Sequence, residues 1–131
     1  MIATKLPVIN KVYDAETKTV KTTRKELAIK VDTSVYAEER WEANFPANAE
    51  RETLFAYIER IVETGKTKSK VTVLSNLKAL FCFIESDEIA SFKEFAQMFD
   101  MSDEAHLKEL CDTVDDIFKK ALGASATKQK N

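Results

Sequence analysis

The sequence predicts an α+β fold, mostly helical, with an N-terminal β-hairpin or small sheet packed on four to five helices. Three observations lead there. The chain up to Val31 carries a β-branched run in period-two alternation, the chain from Val35 to Leu122 carries apolar residues at helical spacing, and glycine occurs only at Gly65 and Gly123. With 131 residues, 44% apolar and 32% charged, the chain can bury one core and is too short for two ordinary ones. Residues 1–123 therefore read as a single domain, with a β region over 1–31 and a helical body over 32–123. Residues 124–131 read as a flexible C-terminal tail, because they have no apolar stripe to offset the entropy of ordering.

Leu6 to Tyr13, the turn-forming Asp14-Ala15-Glu16 and Thr17 to Thr23 suggest a hairpin, and Leu27, Ile29 and Val31 suggest a third strand with those side chains turned toward the helices. A two-stranded ribbon alone is marginal, so this region should pack on the helices. Asp32-Thr33-Ser34 offers side-chain oxygens to the free amides of a helix starting near Val35, on which Ala37, Trp41 and Phe45 share a face. Pro46 ends or re-aims that helix. A second helix over about 47–64 carries Leu54, Tyr57, Ile58, Ile61 and Val62 and closes at Gly65. A third, over about 70–86, is apolar almost all round and should be central. A short helical segment bears Phe92, Phe95, Met98 and Phe99. Ser102 is then expected to cap a last helix that Gly123 stops, with Leu107, Leu110, Val114, Ile117 and Phe118 in its buried stripe.

Charge is unevenly spread. Residues 1–30 carry seven Lys or Arg against three acids, whereas residues 85–116 carry eleven acids against Lys93 and Lys108. So acidic a body repels a phosphate backbone, which argues against nucleic acid as a partner, and the Lys66-Thr67-Lys68-Ser69-Lys70 run reads as a solvated linker. No segment has the apolar length of a membrane span, and the N-terminus lacks the pattern of a secretory signal. Cys82 and Cys111 lie in apolar stripes and read as buried, reduced thiols.

Catalytic and metal chemistry find little footing. His106 is the only histidine, the cysteines stand 29 positions apart, and no motif surrounds a serine or cysteine. The expectation is no enzyme, no cofactor and no metal. His106 reads as a surface residue, and Glu109, Asp112, Asp115 and Asp116 as the wet face of the last helix. Candidate partner-binding residues are Trp41, Phe45, Phe92, Phe95, Met98, Phe99 and Met101. Trp41 either anchors the first helix on the second or touches a partner. The Phe92–Met101 segment serves either the core or an adaptable, methionine-bearing surface.

The segments Val31-Asp32-Thr33-Ser34, Ala37-Glu38-Glu39-Arg40-Trp41-Glu42, Phe45-Pro46, Glu52-Thr53-Leu54-Phe55 and Tyr57-Ile58-Glu59-Arg60 give the chain its most informative stretch. In these, and in its overall layout, it resembles the tail assembly chaperones of long-tailed phages and prophages of Gram-positive bacteria. The resemblance implies a non-enzymatic assembly factor of the host cytoplasm, not retained in the mature virion. Such a factor binds and solubilises the tape measure protein and helps recruit tail tube protein. It also implies a longer form made by a ribosomal slip, since Gln129-Lys130-Asn131 can be encoded by a slippery A-AAA-AAC heptamer; the plain alternative is a soluble tail. Two other readings stay open: a prophage regulatory or DNA-binding protein using the basic hairpin, and a structural tail or neck subunit.

Overall fold

Two long strands form the N-terminal quarter of the chain. In the computed structural model, which describes the backbone of residues 2–126 and their side chains except Lys11 and residues 124–126, β1 (Ile2–Asp14) and β2 (Thr19–Val31) pair antiparallel from Ile2↔Val31 to Asp14↔Thr19. The Asp14 carboxylate accepts from the backbone amides of Glu16 and Thr17, which fixes the turn. Lys18 completes it in the left-handed region at φ 54°. The expected third strand at Leu27–Val31 is instead the continuation of β2, because nothing between Thr23 and Leu27 breaks the extended chain. Ile29 and Val31 are buried and Leu27 packs against the core, so these side chains do face the helices.

The hairpin is only half covered. Leu6, Val8 and Ile9 are buried, whereas Val12, Tyr13 and Val20 are more than half exposed. At about 3.3 Å per residue, thirteen-residue strands reach about 43 Å, longer than the roughly 35 Å of the longest helix, and the distal half extends as an arm. Where the arm leaves the body, the Ile9 amide donates to the Met98 carbonyl (2.8 Å) and Arg24 pairs with Asp103 (3.1 Å).

Six α-helices follow: α1 (Val35–Asn44), α2 (Pro46–Arg51), α3 (Leu54–Glu63), α4 (Val73–Phe83), α5 (Phe92–Ala96) and α6 (Glu104–Ala126). Asp32 accepts from the Ser34 amide and Ser34 makes no side-chain cap bond, so the Asp32-Thr33-Ser34 run shapes the bend rather than capping α1. The helix expected over 47–64 is two helices. Glu52 is extended, and Thr53 caps α3 by accepting from the Ala56 amide. The third helix is shorter than 70–86. Two 3₁₀ turns, Lys66–Lys68 and Lys70–Thr72, precede it, and Ile84–Glu85 forms β3 against Lys30 and Val31, giving a sheet of order β1-β2-β3. Pairing with β2 outweighs helical continuation for the β-branched Ile84.

α4 is central as expected, burying Val73, Leu77, Ala79, Leu80, Phe81, Cys82 and Phe83. α6 is capped by Asp103, whose carboxylate accepts from the His106 amide (3.0 Å), while Ser102 bonds to Asp100 instead. Nor does Gly123 stop α6, which runs on to Ala126; one helical glycine costs about 1 kcal/mol, and the flanking alanines favour continuation. The start of the expected flexible tail is thus helical, and residues 127–131, with the Gln129-Lys130-Asn131 end, lie outside the described residues.

Candidate partner-binding surface

The five aromatic members of the predicted partner set fall on one run of ring contacts that crosses the helical body. α1 carries Trp41, and Phe45 follows one turn later as the C-terminal cap of α1, with ring centroids 5.9 Å apart, edge to face. Phe45 meets Phe92 (5.2 Å) and Phe81 (6.3 Å), Phe81 meets Phe95 (5.9 Å), Phe95 meets Phe99 (5.2 Å), and Phe99 stacks on His106 (6.0 Å, 21°). Ser91 caps α5 by accepting from the Glu94 amide and so sets which way Phe92 and Phe95 point.

Burial divides the set. Trp41 and Phe95 are 1% and 0% exposed, so neither offers surface to a partner. Phe45, Phe92, Met98 and Phe99 are half-buried against the core, and Met101 is 55% exposed. The accessible part is therefore a ridge: Phe45 touches Phe92 at one end, Met98 and Phe99 follow α5 at the other, and Met101 continues that segment along the chain as its exposed member. Lys78 lies over the Phe45 ring (5.7 Å) and Arg40 over Phe81 (5.2 Å), so cations border the aromatic end.

The stretch from Glu38 to Arg60 is architectural in its contacts. The Trp41 Nε1–H donates to the Glu52 carbonyl (3.0 Å). The two carboxylate oxygens of Glu38 accept from the Leu54 and Phe55 amides (2.8 and 3.1 Å), capping α3 from a neighbouring helix. Arg60 pairs with Glu52 through two hydrogen bonds and lies over Tyr57, whose ring meets Trp41. Arg40 donates to the Ile84 carbonyl, tying α1 to β3. The Tyr57 hydroxyl donates to Asn76 Oδ1, and burial pushes its phenol up to about 12.

His106 and Asp115 depart from the sequence reading. His106 is 0% exposed, not a surface residue, because α6 turns it under the 98–103 segment onto Phe99. Neither imidazole nitrogen has a hydrogen-bond partner. Burial holds it below the ordinary histidine value of 6.5, the nearby Asp103 carboxylate opposing and Arg24 assisting. Asp115 is 7% exposed rather than on the wet face, since it accepts from Thr67 and pairs with Lys119. Burial raises its carboxyl, but Lys119 and Thr67 more than offset that and hold it below 3.8.

No protein-family model, curated protein or solved structure matches the chain. Among the described residues no group of three or more His, Cys, Asp or Glu side chains is placed to hold a metal ion, and no described helix is long and apolar enough to cross a membrane. Cys82 and Cys111 are free and buried, and burial pushes the Cys82 thiol up to about 12. A groove of about 590 Å³ lies on the sheet between Lys5, Lys30 and the acidic wall Glu85, Asp87 and Glu88, and no residue of the aromatic run lines it.

Sequence reasoning missed the exposed apolar residues outside the ridge, chiefly the arm-tip pair Tyr13↔Val20 with Val12, and Val35, Tyr36, Val71 and Leu74. A signal existed for the arm. Thirteen-residue strands with lysines interleaved among apolar residues are longer than a body this small can cover.

Proposed function

We propose that this protein is a tail assembly chaperone that binds and solubilises a phage tape measure protein, helps bring tail tube subunits to it, and has no catalytic role. The observation that carries the reading is the half-open ridge of Phe45, Phe92, Met98, Phe99 and Met101, held from beneath by the fully buried Trp41 and Phe95. Large apolar side chains on a rigid support suit the apolar face of a client helix, and methionine adapts to varied sequences. Eleven acids over 85–116 keep the complex soluble, since net charge of one sign opposes aggregation. The client would dock in the host cytoplasm before the tube closes, and weak contacts repeated along a long tape measure suffice for coverage.

Co-expression with the tape measure protein encoded beside it tests the reading: the client should move from the insoluble to the soluble fraction and co-purify. A client equally insoluble with and without this protein contradicts it. A second reading has one observation in its favour. The exposed arm, residues 10–25, carries five Lys or Arg against Asp14 and Glu16, as a ribbon that enters a duplex groove would. Duplex binding that weakens steeply with salt would favour it over the chaperone.

A further inference from the structure

Among the described residues, the only buried side-chain polar atoms without a hydrogen-bond partner belong to His106. It sits in the first turns of α6, fully buried, with both ring nitrogens unpartnered and its ring stacked on Phe99. The ring stacked on it and the charged groups that act on it join three parts of the molecule. Phe99 and Asp100 belong to the segment after α5, Asp103 caps α6, and Arg24 comes from the root of the arm, where it bonds Asp103 at 3.1 Å and approaches Glu109 at 3.9 Å. Next to this lid, the Ile9 amide of β1 bonds the Met98 carbonyl.

We propose that His106 is a proton-operated latch: protonating its imidazole releases the 98–103 segment and the arm root from α6, and so reshapes the Met98, Phe99 and Met101 end of the ridge. Hydrogen-bond supply decides the cost. A neutral imidazole buries one N–H; the imidazolium buries two and a charge, at a site that presents an acceptor to neither nitrogen. The charged groups that face it are Asp103, Asp100 and Glu109, which favour the cation, and Arg24, which opposes it. The carboxylates do not cancel the cost. Asp103 is engaged by the His106 amide and by Arg24, and Asp100 by the Ser102 amide and hydroxyl. Relief comes from opening the lid to water, and the lid is the segment that Ile9 and Arg24 hold down.

The direction follows from the shift. With the folded value below 6.5, the closed state is fully favoured above that pH and loses ground as the pH falls through and below it. The latch rests on the fold alone and not on the proposed client, so it is tested without one. Amide hydrogen exchange of Ile9, corrected for its intrinsic pH dependence, reads the lid directly, and the imidazole carbon-bound proton signals give its titration. In the parent protein, Ile9 protection should fall by about threefold or more between about pH 7 and about pH 5, with His106 titrating below 6.5. In His106→Phe and His106→Gln, which carry no titratable ring, protection should stay level over the same range. A His106 that titrates at or above 6.5, or that titrates while Ile9 stays protected, overturns the proposal, as does equal loss of protection in the parent and both variants. If neither variant folds, the parent titration and Ile9 exchange still decide.

Discussion

The corner around Trp41 and the junction around His106 are both buried aromatic contacts, but they handle polar atoms in opposite ways. At the corner, the Trp41 indole N–H and both Glu38 carboxylate oxygens have backbone partners, and Arg60 is matched to Glu52. At the junction, the only buried side-chain nitrogens without a partner among the described residues sit on His106. A satisfied network fixes one geometry; an unsatisfied one leaves a place where the fold yields at small cost. The contrast assigns rigidity to the α1–α3 corner and adaptability to the α5–α6 end of the ridge.

The strongest way to break the comparison is Trp41→Ala. It removes a large buried ring and leaves the Glu52 carbonyl without its donor, so unfolding free energy should drop by about 3–5 kcal/mol. A loss below about 1 kcal/mol, measured by denaturant titration, would mean the corner does not organise the helices. Glu38→Ala should cost about 1–3 kcal/mol, because it strips two helix-start amides of an acceptor supplied from outside α3. Thr53 remains as a cap, so the loss stays below that of Trp41. His106→Phe should be near neutral, within about 0.5 kcal/mol or slightly stabilising, since a buried group with no partners leaves nothing unpaired when it goes. A penalty as large as that for Glu38→Ala would make His106 a structural hub and erase the contrast.

Much of the fold was legible in the sequence, and the rest was hidden for physical reasons. Helix existence, the central place of α4 and the inward Ile29 and Val31 follow from periodicity alone. Ile84 was hidden because its choice of strand over helix depends on Val31, more than fifty residues away. The break at Glu52-Thr53 was hidden likewise, for Glu38 caps α3 from another helix and no local pattern records it. Ridge membership was visible as helical spacing from Phe92 to Met101, but spacing does not separate the buried Phe95 from the exposed Met101. A lone histidine beside Leu107 looks like a surface residue, and its burial against Phe99 shows only in the fold.

The account rests on the ridge meeting the client while the corner holds the fold, and Met101→Lys tests that most directly. Met101 is 55% exposed, so the variant should melt within a few degrees of the parent. Its affinity for the tape measure protein should fall by about tenfold, as burying a charge replaces burying a methionine worth about 1.5–3 kcal/mol. Unchanged melting with unchanged affinity would contradict the account and move the client site elsewhere, the arm tip at Tyr13 and Val20 being the next surface to probe.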